Sequence, residues 1–176
     1  MHPLHSFRYC PVCGSVHFVE NNFKSKKCRD CDFVYYFNPA SATAIFITNG
    51  VGELLVVSRA KEPAKGSFDL PGGFVDLYET AEEAIIREVK EETGLQISSP
   101  EYLFSLPNIY SYSGFDVHTV DLFYQQSIDT FSGLQAGDDA ESIFFLPQNK
   151  IQPEKFGLHS IRQAVEKWLA VFPLFN

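Results

Sequence analysis

Glu88, Glu91 and Glu92 stand at i, i+3 and i+4 within GFVDLYETAEEAIIREVKEETGL, the stretch from Gly73 to Leu95. On a helix that spacing puts three carboxylates on one face. Like charges stacked so closely repel, and a hard divalent cation seeking oxygen ligands relieves the repulsion; a solvated acidic face is the alternative. Gly72 and Gly73, just ahead, let the backbone approach a metal and a diphosphate with no side chain between. Glu79 and Arg87 are a complementary pair able to lock this turn onto the helix and aim the carboxylates. Together these residue types suit attack of a metal-activated water on one phosphorus of a diphosphate linkage, with Mg2+ (or Mn2+) screening the phosphate charge.

A second set of ligand-type residues lies upstream. Cys10-Pro-Val-Cys13 and Cys28-Arg-Asp-Cys31 are two knuckles separated by 14 residues, the spacing of a tetrahedral structural zinc site. Two disulfides or a redox pair would use the same residues, but a reducing cytosol disfavours the first and the duplication disfavours the second. Phe18, Val19, Phe23, Phe33 and Val34 supply the apolar residues around the knuckles. So short a segment buries little surface, and the metal would supply much of its folding energy.

The elements that must position these groups follow from local pattern. Thr80 with Glu83 is a capping box that starts a helix at Ala81, and Gly94 suits a left-handed helix end. Ala81, Ile85 and Val89 make the apolar stripe of that helix. Thr43–Thr48 and Glu53–Arg59 read as a hairpin around Asn49-Gly50-Val51-Gly52. Tyr35-Tyr36-Phe37-Asn38-Pro39 reads as a connector, and Phe68-Asp69-Leu70-Pro71 as the lead into the glycines. Tyr102–Ser105, Thr119–Ser127 and Ser142–Leu146 are further strands, separated by turn-rich PNIYSYSGFD and SGLQAGDDAE. Ile161, Val165, Trp168, Leu169 and Phe172 recur at helical spacing up to Pro173. Strands flanking one helix and followed by another predict a sheet sandwiched between helices.

The order Gly73, five residues, Glu79, seven residues, Arg87-Glu88-Val89, one residue, Glu91-Glu92, one residue, Gly94-Leu95 resembles the Nudix box, with every position filled. The resemblance implies an α/β fold, the Nudix α/β/α sandwich with a mixed sheet, over residues 38–176 behind a small zinc ribbon at 1–37. It implies that the Gly72 carbonyl joins Glu88, Glu91 and Glu92 as a magnesium ligand, with Arg87 and Glu79 supporting catalysis. The general base would be Glu88, Glu92 or a glutamate on a later loop. Asp138, Asp139 and Glu141 lie where family members often carry such an acid, with Glu141 the first candidate; an acidic surface turn is the other reading.

Zinc ribbon plus Nudix domain is similar to the NADH pyrophosphatases, which carry Ser-Gln-Pro-Trp-Pro-Phe-Pro-x-Ser after the box. Here Ser105-Leu106-Pro107-Asn108-Ile109-Tyr110-Ser111-Tyr112-Ser113 matches both end serines and the first proline, and lacks the glutamine, the tryptophan and the later prolines. This loop is expected to line the substrate pocket, with Tyr110, Tyr112 or Phe115 stacking on a base or packing as core. Arg59 and Phe68 complete the substrate-binding candidates. The resemblance implies an Mg-dependent pyrophosphohydrolase acting on a small-molecule nucleoside diphosphate derivative of the ADP-ribose, NAD(H) or dinucleotide type. A nucleoside triphosphate pyrophosphatase and a non-catalytic nucleotide sensor are the alternatives.

Composition narrows the partners. The net charge is −8, and residues 1–37 are net positive by two, so the remainder holds −10. That balance argues against strong nucleic-acid binding, and four thiolates with one zinc would bring the ribbon close to neutral. Lys24, Lys26 and Lys27 then read as a solvated face. No apolar run is long enough to span a bilayer and the first residues have no secretory pattern, so the expected location is the cytoplasm, with no membrane partner. The tail Val171-Phe172-Pro173-Leu174-Phe175 would support a homodimer or close the monomer's core.

Overall fold

In the computed structural model, residues 2–62, 64–112, 114–137 and 140–171 are described, without the side chains of Tyr112 and Ala140. Asp138, Asp139, the Tyr112 side chain and the tail after Val171 thus lie outside the described residues. The chain divides into two compact units, Met1–Pro39 and Ala40–Asn176.

In the first unit, β1 (Phe18–Asn22), β2 (Ser25–Cys28) and β3 (Val34–Tyr36) form an antiparallel sheet in that order. Tyr35 and Tyr36 are therefore strand rather than connector, with Tyr35 opposite Lys26. The core is very small: Cys10, Phe18 and Cys28, with Phe33 packed against them. Phe23 is not part of it and is exposed. Lys26 is not on a solvated face either. It is 7% exposed, its ammonium donates to the Phe7 carbonyl at 2.5 Å, and it sits 5.2 Å from the Phe18 ring centre. The carbonyl and the ring replace part of the water that burial removes.

The second unit is built on alternation. Along β4 (Ala40–Thr48), Ala44 and Phe46 face one layer, while Ile45 and Ile47 face the other. In β5 (Leu54–Arg59), Leu54 and Val56 alternate with Leu55, and in β9 (Phe115–Ser127) Phe123 alternates with Tyr124. Such a strand must be covered on both faces. Helix α1 (Ala81–Thr93) covers one with Ile85 and Val89; α2 (His159–Val171) covers the other with Ile161, Ala164, Val165 and Trp168. Trp168 stacks on Phe46 with ring centres 5.0 Å apart. Each fully buried Ile, Val or Phe contributes about 1.5–3 kcal/mol. The result is a sheet between two helices.

With β8 (Glu101–Tyr112) and β10 (Ala140–Leu146), the main path of the sheet runs β10-β5-β4-β9-β8. β4 and β9 are parallel and the other pairs antiparallel, so the sheet is mixed. β4 and β5 meet at Thr48 and Leu54 and then part. Two short strands fill the fork: β6 (Phe68–Asp69) pairs with β5, and β7 (Gly72–Phe74) pairs with β4.

The segment after Ser105 departs from the turn-rich reading. It continues β8 to Tyr112, which pairs with Phe115 across a tight turn containing Gly114 at φ +74°. Pro107 is tolerated because β8 is an edge strand, where one missing N–H need not break a ladder.

Candidate active site and zinc centre

The box helix forms as its sequence dictates. Thr80 accepts from the Glu83 N–H at 3.2 Å and Glu83 accepts from the Thr80 N–H at 2.8 Å, while Gly94 closes the far end at φ +72°. With Ile85 and Val89 fixed in the core, Glu88 and Glu92 are turned toward the fork between β4 and β5.

A cavity of about 500 Å³ opens there. One side carries Glu88, Glu92 and the Gly72-Gly73 turn; the other carries Leu158 and Ile161; Arg59, Asp69, Tyr110, Thr119 and Asp121 add polar groups. Its ionisable lining is Glu62, Asp69, Asp76, Glu88, Glu92 and Asp121 against Arg59 and Lys61. Six carboxyls to two cations is a lining that attracts cations and repels a bare anion.

Backbone and glutamates meet closely. The Gly72 N–H donates to Glu92 Oε2 at 3.0 Å. A Cβ on Gly73 would overlap the Glu88 carboxylate, so only glycine leaves Glu88 its place. Arg87 organises the rest. Its Nε and Nη2 grip Glu79 Oε1 and Oε2 at 2.9 Å each, Nη2 also donates to the Phe74 carbonyl at 3.1 Å, and Nη1 reaches Glu88 at 2.8 Å and Glu91 at 3.2 Å. Arg87 thus ties the Phe74–Glu79 turn to the helix through a two-pronged carboxylate contact. Burial pushes the Glu88 carboxyl up, against the pull of Arg87. The Arg87 hydrogen bond holds Glu79 below its ordinary range, and the guanidinium itself is raised by its carboxylate partners.

The three glutamates do not converge on one point. Among the described residues, the four cysteines are the one group of three or more Cys, His, Asp or Glu ligand atoms all within 4.8 Å of one another. Arg87 draws Glu88 and Glu91, the Gly72 N–H draws Glu92, and the Glu91 carboxylate is largely exposed and outside the cavity lining. All the donors here are oxygens, two of the three carboxylates reach the cavity, and the glycine turn is close, which fits a hard divalent cation.

The other candidates fall in different places. Tyr110 lines the cavity and meets the Phe74 ring edge-on, with centres 6.0 Å apart. Arg59 lines it too. Phe68 does not; its ring is fixed edge-on against Phe144 and Phe156, with centres at 5.3 and 6.0 Å, and so belongs to the core. Phe115 sits at the start of β9, also outside the described lining. Glu141 is exposed on β10 and is likewise not among the lining residues. The loop leading toward it is nonetheless tied to the end of α1: the Gln135 N–H donates to the Thr93 carbonyl at 2.9 Å and the Gly137 N–H to that of Glu92 at 2.8 Å.

Sequence reasoning missed Asp69 and Asp121, which are 8% and 6% exposed. Asp121 accepts from Thr119 at 2.6 Å and from Ser160 at 2.5 Å. The available signal was an acid inside the apolar strand Val120-Asp121-Leu122-Phe123, where burial demands a reason.

In the first unit, Cys10 and Cys31 Sγ lie 3.7 Å apart, as do Cys13 and Cys28. A disulfide needs about 2.05 Å. Four thiolates about 2.3 Å from a central zinc stand about 3.8 Å apart, so the set fits zinc. Burial opposes the Cys28 thiolate, but N–H groups of Asp30 and Cys31 bring that thiol down to about 7. The Phe33 N–H favours the Cys31 thiolate, yet neighbouring sulfur and burial push it up to about 12. Thiols that suppress one another's ionisation are what a divalent cation resolves.

Comparison with known proteins agrees with this geometry. The chain is 37% identical over 136 residues to an ADP-ribose pyrophosphatase of Methanocaldococcus jannaschii, covering 76% of each. It is 30% identical over 106 residues to the NAD-capped RNA hydrolase NudC of Vibrio atlanticus, covering 60% of this chain and 39% of that one. It thus spans about two fifths of the NudC relative's length. A NUDIX hydrolase crystal structure from Nitrosomonas europaea shares the fold at a TM-score of 0.72 and 18% identity, covering 93% of this chain and 90% of that one. The NUDIX domain profile matches residues 38–169, where the fork, the box helix and the cavity all lie, and the chain belongs to that family.

Proposed function

We propose that this chain is a divalent-metal-dependent hydrolase that cleaves the diphosphate linkage of a nucleoside diphosphate derivative of the ADP-ribose type. The observation that carries this reading is the cavity at the β4–β5 fork, where Glu88 and Glu92 face a close glycine turn within an acidic surplus. A polyanionic substrate enters such a lining together with cations. The relative named as an ADP-ribose pyrophosphatase, alike over three quarters of both chains, supports the substrate class.

Glu88, Glu91 and Glu92, with the Gly72 backbone, are the groups to hold Mg2+ or Mn2+, which when bound would acidify a water and offset charge on the diphosphate. Arg87 keeps the glutamates in register with the glycine turn through Glu79. Glu88, half-buried and with a raised carboxyl, is suited to take a proton from an attacking water; Glu92 and Glu141 are the other candidates. Arg59 and Tyr110 would meet the substrate. Structural zinc at Cys10, Cys13, Cys28 and Cys31 would hold the ribbon. Among the described residues no helix is long and apolar enough to cross a membrane.

NAD(H)-type substrates are the second reading. Their support is the likeness to the NAD-capped RNA hydrolase and the presence of Tyr110, from the 105–113 segment, in the cavity wall. The test is phosphatase-coupled phosphate release from ADP-ribose, NADH, a dinucleoside diphosphate and nucleoside triphosphates with Mg2+. ADP-ribose is expected to give AMP and ribose 5-phosphate. Activity that survives Glu91→Gln with Glu92→Gln would refute the metal assignment, and tight binding without turnover would indicate a sensor.

A further inference from the structure

The cavity wall holds an ion pair between a buried aspartate and a half-buried arginine, for which the box has no use. Asp69 lies on β6 opposite Val57, two residues before Arg59 on β5. Arg59 Nη1 donates to Asp69 Oδ2, and the Leu70 N–H donates to Oδ1 at 2.9 Å. Both carboxylate oxygens are engaged, one by backbone, so the group is fixed in orientation. Tyr110, from β8, lines the same cavity as Arg59.

We infer that Asp69 is a positioning residue for substrate binding, holding the Arg59 guanidinium in the cavity where it meets the anionic diphosphate. The inference rests on the diphosphate reading of the site.

Stability does not explain the pair. Taking an aspartate and an arginine out of water costs about as much as their attraction returns, so apolar residues would serve a core as well or better. Arrangement does explain it. An arginine among six lining carboxyls has several possible partners, Glu88 and Glu92 among them. Were it to close on those, it would occupy the oxygens assigned to the metal. Asp121 is already satisfied by the Thr119 and Ser160 hydroxyls. Asp69, pinned by the Leu70 N–H, is the rigid partner that decides where the guanidinium stands. Burial, with Asp121 adding, pushes the Asp69 carboxyl up, and Arg59 opposes this.

The test is a double-mutant cycle in the full chain: wild type, Asp69→Asn, Arg59→Ala and the pair. Asn keeps the size and can still accept from the Leu70 N–H, but it withdraws the charge from Arg59. Asp69→Asn should raise KM for ADP-ribose about tenfold or more, with kcat changed less than about threefold. In the Arg59→Ala background it should add nothing, because its effect passes through Arg59. Arg59→Lys, which keeps the charge and loses the planar fork, should also raise KM. Effects that multiply in the cycle, or a fall in kcat at constant KM, would overturn the inference. Should Asp69→Asn not fold, Asp69→Glu, which keeps the charge but displaces it by one methylene, should raise KM while retaining kcat; an unchanged KM would overturn it equally. If wild type turns over no diphosphate, the hydrolase reading fails by itself and the cycle is read on the dissociation constant of ADP-ribose. There coupling sustains the role of Asp69 and additivity ends it; wild type that does not bind ADP-ribose ends both.

Discussion

Gly73→Ala should separate the site from the fold. Gly73 pairs with Thr43 in β7, and an added Cβ would stand 2.6 Å from Glu88 Cδ and 2.8 Å from its Oε2. Ordinary carbon contacts begin near 3.5 Å, so the Glu88 carboxylate must retreat by about 1 Å. The clash is with the far end of a side chain, so the backbone can stay. Rotating Glu88 off its rotamer costs about 0.5–1.5 kcal/mol, and Arg87 keeps its grip on Glu79. That is a loss of about 1–6 °C in melting temperature for a chain this size. A displacement of that order at a reacting group costs about 100-fold in rate. The assay is kcat/KM for ADP-ribose across a magnesium titration, alongside a thermal melt. Activity within threefold of wild type would refute the claim that Glu88 must lie against Gly73. Gly72→Ala is the contrast. Its Cβ would stand 2.7 Å from Ala44 Cα and overlap the Thr43 carbonyl, at φ +153°, so backbone must move and the fold itself should suffer.

Three further outcomes are expected. Elemental analysis should find one zinc per chain, and chelation should melt the Met1–Pro39 unit because two members of its small core, Cys10 and Cys28, are themselves candidate ligands; undiminished hydrogen-exchange protection at Phe18 after chelation would count against this. Glu79 is held below its ordinary 4.5 by Arg87, so it contributes stability that is present above that value and lost as pH falls through the lowered one. Glu79→Gln should therefore flatten the acid limb of the stability curve, which melts between pH 3 and 7 would show. Gly137→Ala would set a Cβ 3.0 Å from Glu92 Cα and against the Glu91 carbonyl, lifting the loop from α1 at a cost of about 1–3 kcal/mol and raising hydrogen exchange at Gly137; unchanged exchange would argue against the tie.

What could be read from the sequence was local, and what could not was made by distant chain. Helix α1 was legible to the residue because its signals are internal: Thr80 and Glu83 cap it, Gly94 ends it, and Ile85 and Val89 fix which way Glu88 and Glu92 point. The Arg87–Glu79 contact was legible for the same reason, two opposite charges set eight positions apart across one turn. The β8 hairpin was not, since Pro107, Asn108 and Ser111 carry turn chemistry, and only the edge position of β8 in the finished sheet makes that chemistry harmless. Phe68 was a substrate-binding candidate, but Phe144 and Phe156 claim it from far along the chain. Nothing local marks Asp69 as buried, and Asp121 carries only the mark of an acid within an apolar strand; the fork between β4 and β5 buries one, and β9 with Ser160 of α2 buries the other. The proposed metal ligands are thus encoded within one helix and its turn, whereas the residues that would choose the substrate are assembled from four strands and the start of α2. Two chains with the same box can therefore share the bond they break and differ in the molecule that carries it.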